Sequence, residues 1–236
     1  MKHKLLDLIK AGRDKEESDL LPYVNDSPAD EAGRWSAKDQ LAHLTAWRQV
    51  AVAEMDAVRT GAAGPDVSDD DDVENAKTYK KTHQQPAALL REAGVRSWDH
   101  LAAAVGACSD PDLEKPRLRR PKQPLWQAIP NNTYYHLAEH LAYWHSDRGD
   151  DAAAENAAKW GYDLATSTFP DNRSRGVAAY NLGCFYAKHG RAAEALPYLR
   201  TGLELRPDLR DWAKQDTDLD PIRTTPELAS LIRDGG

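Results

Sequence analysis

The chain has 236 residues, of which 41% are hydrophobic and 29% charged, so we expect a packed core rather than disorder. The formal net charge of −7 argues against a surface that coats DNA, and no apolar run approaches the roughly 18 residues that a transmembrane helix needs. Cys108 and Cys184 are its only cysteines, which excludes a disulfide framework, and the N-terminus lacks the pattern of a signal peptide. The composition therefore predicts a cytoplasmic protein without a membrane partner.

Helical periodicity dominates the sequence and predicts an all-α fold. We expect a first helix over residues 2–21, ending before Pro22. Ser36 and Asp39 have the spacing of a capping box at the start of a long second helix. Apolar residues then recur at every third or fourth position until the helix ends near Gly61.

Four consecutive aspartates, at 69–72, precede the next predicted helix, over 73–82. We interpret them as a solvated run that leads into a helix N-terminus, where negative charge is favourable. A divalent-cation site is the alternative interpretation. Consecutive aspartates at a helix start converge on one ion less well than ligands at alternating positions of a loop. A further helix is expected after Pro86, over 87–107.

The segment 109–124 contains four prolines and is predicted to be a loop. Its basic cluster, from Arg117 to Lys122, is interpreted as a solvated loop or as a weak anion contact, so that any contact with DNA is at most weak. The next helix is expected to begin near Asn131 or Asn132 and to continue through Trp144. Four main helices within about 148 residues predict an up-and-down four-helix bundle.

The last of these helices carries two histidines, His136 and His140, one turn apart on one face. Two imidazoles at this spacing can ligate one divalent metal if another helix supplies a third ligand. His43 is the candidate, because it lies on the shoulder of the apolar face of the second helix. The pair can equally consist of surface or interface residues, and the HExxH pattern of zincins is absent.

The chain resembles the ClbS/DfsB family of DinB-like four-helix bundles over roughly residues 1–148. The resemblance is carried by five landmarks in matching order: Trp35–Trp47 (WSAKDQLAHLTAW), Asp72–Asn75 (DVEN), Ser97–Trp98, Asp110–Leu113 (DPDL) and Ile129–His140 (IPNNTYYHLAEH). The sequence departs from the family pattern at Leu137, where a tyrosine is usual.

This resemblance implies two kinds of chemistry. The ClbS branch is associated with protection against DNA-alkylating natural products, through hydrolytic ring opening of an electrophilic cyclopropane, and need not carry a metal. The wider superfamily includes thiol S-transferases that depend on a divalent metal, zinc or nickel, held by histidines at the positions of His43, His136 and His140.

The expected substrate is thus an electrophilic small molecule, and the candidate catalytic residues are the three histidines together with Glu139 and Tyr143 as proton donors. Trp47 and Trp144 are candidate walls of the substrate pocket, with helix packing as the alternative. Asn132 and Thr133 are interpreted as helix caps, with ligand contacts as the alternative, and Asn132 is the candidate residue of the substrate pocket.

A second domain is predicted over 149–236. Its segment 176–209, with Gly183, Tyr186, Ala195 and Pro207 at the expected spacings, resembles a tetratricopeptide repeat. Such a segment can bind a peptide or protein partner, or it can serve packing and homodimerisation. A non-catalytic scaffold protein is therefore a third hypothesis, and Cys184 is expected to be a buried core residue.

Overall fold

The computed structural model describes residues 1–26 and 34–233. Across these ranges the regular secondary structure is entirely helical, which confirms the predicted all-α class, and an isolated bridge pairs Pro116 with Pro124. No helix in the described part of the chain combines the length and the apolar character needed to cross a bilayer. The chain divides into two compact units, Met1–Asp150 and Asp151–Gly236.

The N-terminal unit contains seven α-helical segments in its described part. They are α1 (Lys2–Asp19), α2 (Ala37–Thr60), α3 (Asp71–Thr82), α4 (Ala87–Ala107), α5 (Asp110–Leu113), α6 (Ala128–Pro130) and α7 (His136–Ser146). A π-helical turn, Asn131–Tyr135, joins α6 to α7, and single 3₁₀ turns lie at Leu21–Tyr23 and Leu125–Gln127. Helix α2 packs against α3, α4 and α7, and α1 packs against α4 and α7.

Local signals account for the ends of α2. The Ser36 side chain accepts a hydrogen bond from the Asp39 amide, and the Asp39 carboxylate accepts one from the Ser36 amide, so the predicted capping box is confirmed. Gly61 ends the helix with a φ of 74°, a left-handed conformation that glycine adopts without strain. The first helix is two residues shorter than expected, because the chain tightens into a 3₁₀ turn around Pro22.

The acidic run does form a helix N-terminus. Asp70 caps α3 by accepting hydrogen bonds from the amides of Asp72 and Val73, so α3 starts two residues earlier than predicted. None of the 12 residues of α3 is buried. The prediction of an uninterrupted loop over 109–124 is wrong at its start, because Ser109 and Asp112 form a second capping box and open α5.

The basic cluster is not a solvated loop. Arg117 is buried and donates two hydrogen bonds to one carboxylate oxygen of Glu54, a fully buried residue of α2, at 2.8 and 3.1 Å. Arg119 and Arg120 both pair with Asp71, at 3.0 and 3.1 Å, and of the two only Arg120 is exposed. The solvated interpretation is therefore wrong for Arg117 and Arg119. A buried carboxylate on α2 requires a cationic partner, and this segment supplies it.

A second buried ion pair lies in the core. Arg48 of α2 binds Glu16 of α1 through both carboxylate oxygens, at 2.7 and 3.2 Å, and each residue is 1% exposed. Ser97 and Trp98 of α4 complete the network, because Ser97 accepts from Arg48 at 2.7 Å and the Trp98 indole donates to Glu16 at 2.8 Å. The network joins three helices and satisfies the hydrogen bonding of both charges.

The last helical segment begins earlier than expected. Helical backbone starts at α6 and passes through the π-helical turn before α7. Asn132 and Thr133 donate their side-chain hydrogen bonds back to the carbonyls of Ala128 and Ile129, both at 2.8 Å. The interpretation of these residues as helix caps is therefore wrong, since they bond to the preceding turn. Single π-turns of this kind are frequent at functional sites.

The C-terminal unit is built from helices α8 (Asp151–Thr168), α9 (Asn172–Lys188), α10 (Ala192–Leu205), α11 (Arg210–Ala213) and α12 (Pro226–Arg233), with 3₁₀ turns at Pro207–Leu209 and Thr217–Ile222. Helices α9 and α10 pack antiparallel at close range. A Cβ at Gly183 would lie 2.7 Å from the Leu199 Cγ, and one at Gly202 would lie 2.9 Å from the Tyr180 amide nitrogen. Cys184 is buried as predicted.

Candidate functional site

Three histidines meet between α2 and α7. Each of His43, His136 and His140 offers one ring nitrogen, and these nitrogens all lie within 4.8 Å of one another. The Nε2 atoms of His43 and His136 are 2.8 Å apart, and the ring centroids of the three pairs are separated by 4.4 to 4.7 Å. The helical spacing of His136 and His140 places both on the face of α7 that meets α2. We call this group the histidine cluster.

Gln40 orients one member of the cluster. Its side-chain oxygen lies 2.5 Å from the Nδ1 of His140 and can only accept, so this nitrogen carries the proton. The lone pair of Nε2 then remains available to a ligand. Sequence reasoning missed Gln40, although its position three residues before His43 places it on the same face of α2.

All three imidazoles are held in the neutral form. Burial lowers the pKa of His43 to about 4 and that of His140 to about 3. Burial lowers the pKa of His136 well below its ordinary value, with further contributions from the two neighbouring imidazoles and Arg48. Neutral imidazoles with free lone pairs are the form in which histidine binds metals.

The donor set fits a divalent metal. Three neutral imidazoles form the ligand set of one class of catalytic zinc site, in which a fourth position stays open. Tetrahedral coordination with Zn–N distances of about 2.0–2.1 Å separates neighbouring ligand nitrogens by about 3.3 Å. The nitrogens of the histidine cluster, from 2.8 to at most 4.8 Å apart, lie on either side of that separation. Small side-chain rotations would therefore bring all three to one ion.

Aromatic rings surround the cluster. The Trp35 ring lies 5.1 Å from that of His43 and stacks at 6.3 Å on that of His140, while Trp47 lies 6.4 Å from His43. Tyr79 of α3 stacks in turn on Trp35 at 5.9 Å. Trp47 was expected at this site. The positions of Trp35 and Tyr79 were not predicted, and the only sequence signal was the place of Trp35 directly before the N-cap of α2.

Glu139 and Tyr143 lie beside the cluster on α7. The Tyr143 hydroxyl donates to the Glu139 carboxylate at 2.9 Å, and the Tyr143 ring lies 6.4 Å from that of His140. Glu139 is exposed and Tyr143 is half-buried. The structure therefore brings both candidate proton donors to the accessible side of the site.

The two remaining candidates for the substrate pocket, Trp144 and Asn132, make contacts outside the histidine cluster. Trp144 is buried, and its ring contacts are with Tyr23 at 4.7 Å and with His145 at 4.8 Å, rather than with the cluster. Asn132 uses its amide to bond the Ala128 carbonyl. These contacts place Trp144 in helix packing and Asn132 in the π-helical turn.

Comparison of the chain with protein-family models, with curated proteins and with solved structures found no match. The resemblance to the ClbS/DfsB family and to the tetratricopeptide repeat thus rests on the sequence motifs alone.

Proposed function

We propose that the N-terminal unit is a DinB-like up-and-down four-helix bundle formed by α1, α2, α4 and α7, and that it is an enzyme acting on an electrophilic small molecule. The observation that carries this proposal is the histidine cluster, with its three ring nitrogens within 4.8 Å on two helices. Its positions are those at which the superfamily that the chain resembles binds a divalent metal, zinc or nickel. The cofactor we propose is therefore a single ion of this kind.

A divalent ion held by the three imidazoles would lower the pKa of a bound water or thiol towards neutrality. The chain itself supplies the remaining functions. Gln40 fixes the ring of His140, and the indoles of Trp35 and Trp47 limit the access of bulk water to the cluster. Tyr143, bonded to Glu139, is placed to give up a proton.

The favoured reaction is hydrolytic ring opening of a strained electrophile such as a cyclopropane. The water oxygen bonds to the electrophilic carbon and the strained carbon–carbon bond breaks. The Tyr143–Glu139 pair gives a proton to the released carbon or its conjugated oxygen and regains one from the attacking water, so that the sum is the addition of one water. Thiol transfer is the second candidate, because the same three nitrogens would also activate a thiol. In that reaction the thiol sulfur bonds to the same carbon, the strained carbon–carbon bond breaks, and the thiol proton ends on the released carbon or its conjugated oxygen, which gives a thioether.

Elemental analysis and product analysis test this proposal. After reconstitution with zinc or nickel, the full chain is expected to hold about one ion, and His43→Ala and His140→Ala are expected to lose it. His100→Ala, at an exposed position of α4, is the matched control and retains the ion. Absence of bound metal from the reconstituted wild-type protein would contradict the metal centre.

Mass spectrometry of a cyclopropane-bearing alkylator incubated with the protein distinguishes the two reactions. A product heavier by one water indicates hydrolysis, and a thioether formed in the presence of a small thiol indicates transfer. Turnover that is unchanged in His140→Ala would show that the cluster is not the catalytic site.

For the C-terminal unit we propose a tetratricopeptide-like helical pair at α9 and α10. The close antiparallel approach at Gly183 and Gly202 supports it, because such repeats use small residues where their two helices touch. A peptide or protein ligand, or a second copy of the chain, is the proposed partner. Pull-down with the full chain, compared with one truncated after Asp150, tests this role.

A further inference from the structure

Stacked rings extend from the histidine cluster to α3. His140 and Trp35 have centroids 6.3 Å apart at 16°, Trp35 and Tyr79 are 5.9 Å apart at 10°, and Tyr79 and His83 are 4.9 Å apart at 14°. These separations lie within the range of about 4.5–7 Å in which aromatic side chains attract each other. Trp35 therefore occupies the place between Tyr79 and His140.

Trp35 is attached differently from its two neighbours. His140 and Tyr79 are carried by the helices α7 and α3, and His140 is also held by its hydrogen bond to Gln40. Trp35 lies outside the helices, directly before the Ser36 N-cap of α2, and like its two neighbours it is half-buried. Its ring can therefore leave the stack by side-chain rotation while both helices stay in place.

The spacing leaves no room for a further ring beside Trp35. A planar ring inserted between two others needs about 7 Å between them, because carbon atoms in contact are about 3.5 Å apart. The centroids of Trp35 and Tyr79 are only 5.9 Å apart. When Trp35 swings out, however, a place bounded by Tyr79 and His140 becomes free, and it adjoins the histidine cluster.

We propose that a planar conjugated ring of the substrate replaces Trp35 between Tyr79 and His140, so that Trp35 acts as the resident occupant of a substrate-binding slot. The catalytic part of this inference rests on the proposed function. The inference adds the substrate class, which is an electrophile attached to a flat aromatic or heteroaromatic ring. The attached reactive carbon is then held beside the three imidazoles.

Binding of two matched neutral probes to the metal-stripped full chain tests the slot. The probes are 2-naphthol, which is planar, and its saturated counterpart decahydro-2-naphthol, and binding is measured by isothermal titration calorimetry. The wild-type protein is expected to prefer 2-naphthol. Tyr79→Ala is expected to bind it about 3- to 10-fold more weakly, the size of one aromatic stacking contact.

Trp35→Ala is expected to bind 2-naphthol several-fold more tightly, because the probe no longer has to displace the resident ring. The two alanine variants are thus expected to change the affinity for 2-naphthol in opposite directions. If Trp35 were only a wall of the site, or if either substitution merely loosened the site, both variants would bind the probe more weakly. Trp35→Phe keeps a competing ring and stays near the wild-type affinity. Trp212→Ala, at an exposed position of the C-terminal unit, is the control and leaves binding unchanged.

Weaker binding by a folded Trp35→Ala protein, verified by circular dichroism, would overturn the inference, and so would equal affinity for the two probes. Because the probes are tested on the metal-stripped protein, the result does not depend on the proposed metal centre. If the reconstituted protein holds no metal but the two variants still change the probe affinity in opposite directions, the proposed function fails and the slot stands. If metal and turnover are found but both variants bind more weakly, the slot fails and the proposed function stands.

Discussion

Gln40 shows how one amide can set the properties of a histidine. The Gln40 side chain is 5% exposed, and its oxygen lies at hydrogen-bond distance from the His140 Nδ1. This contact fixes both the ring plane and the tautomer of His140, as the outer partners of metal-binding histidines generally do. The orientation of His140 within the histidine cluster is therefore set by the protein before any ligand arrives.

Replacing Gln40 should weaken metal binding without removing a ligand. We expect Gln40→Leu to lower the affinity for zinc about 10- to 100-fold, because His140 loses the acceptor that holds its Nδ1 proton. Competition with a chromophoric chelator measures the affinity. Gln40→Glu, which keeps an acceptor oxygen, serves as the matched variant and should remain close to wild type. Equal affinities for Gln40→Leu and the wild-type protein would contradict this role.

The Glu16–Arg48 pair leads to a prediction about stability. Glu16→Ala leaves the Arg48 charge buried without its partner, and we expect a loss of about 3–5 kcal/mol in the free energy of unfolding. Urea denaturation measures the change. The neighbouring Glu17, whose side chain is 47% exposed in its pair with Arg13, is the control, and Glu17→Ala should cost at most about 1 kcal/mol. Similar losses in both variants would contradict the assignment.

The sequence allowed only part of this site to be predicted. The spacing of His136 and His140 depends on the helix alone, and helical geometry was enough to put both on one face. Gln40, Trp35 and Tyr79 were missed, since their roles depend on which helices become neighbours. Periodicity within one segment contains little information about such contacts between segments.

The same division between local and non-local signals holds for whole elements. The capping box of α2 and Pro86 before α4 are local signals, and both helices start where the sequence predicts. The π-helical turn Asn131–Tyr135 was not foreseen, because polar residues before an apolar run normally indicate a helix cap. Thr133 is instead buried and bonds to the preceding turn.

Three glycine replacements test the antiparallel contact of α9 and α10, because two of the glycines lie in that contact and the third, Gly106, lies outside it in α4. Gly183→Ala and Gly202→Ala should each destabilise the C-terminal unit by about 1–3 kcal/mol, because the new methyl group would overlap the facing helix. Gly106→Ala, near the end of α4, meets no atom within 4 Å and should be neutral or stabilising by up to about 1 kcal/mol. Thermal unfolding measures all three, and a stabilised Gly202→Ala protein would contradict the close approach.

For the molecule as a whole, two compact units share one chain, and the candidate chemistry lies in the first. This unit contains ionisable groups of two kinds: the buried ion pairs, and the histidine cluster, in which His43 is buried and the other two rings are half-buried. The ion pairs Glu16–Arg48 and Glu54–Arg117 are charged and mutually compensated, whereas the histidine cluster is uncharged. In the range in which unfolded histidine titrates, the stability of the unit should therefore respond to acid through the cluster, with a further contribution from His145, whose pKa is also lowered by burial.

Without metal, the stability of the protein should increase with pH between about 4 and 6.5. The pKa values of the folded cluster are lowered, so below pH 6.5 the unfolded chain takes up protons that the folded chain does not, and unfolding is favoured. Above this range neither state binds the protons and the effect disappears. Urea midpoints measured in a chelator from pH 4.5 to 7.5 test this dependence.

His43→Gln should reduce the pH dependence of the urea midpoint, and His100→Gln, at an exposed position, should not. A wild-type midpoint that stays constant from pH 5 to 6.5 would contradict the buried, neutral state of the cluster.

The buried ion pair between Glu54 and Arg117 also affects where a protease can cut the chain. In the stretch from Lys115 to Lys122, prolines follow Lys115 and Arg120 and protect those two peptide bonds from trypsin. Arg117 and Arg119 are engaged by Glu54 and Asp71 and cannot enter the specificity pocket of trypsin. Limited digestion of the native protein should therefore nick this basic stretch after Lys122 alone, although its composition suggests an easy target.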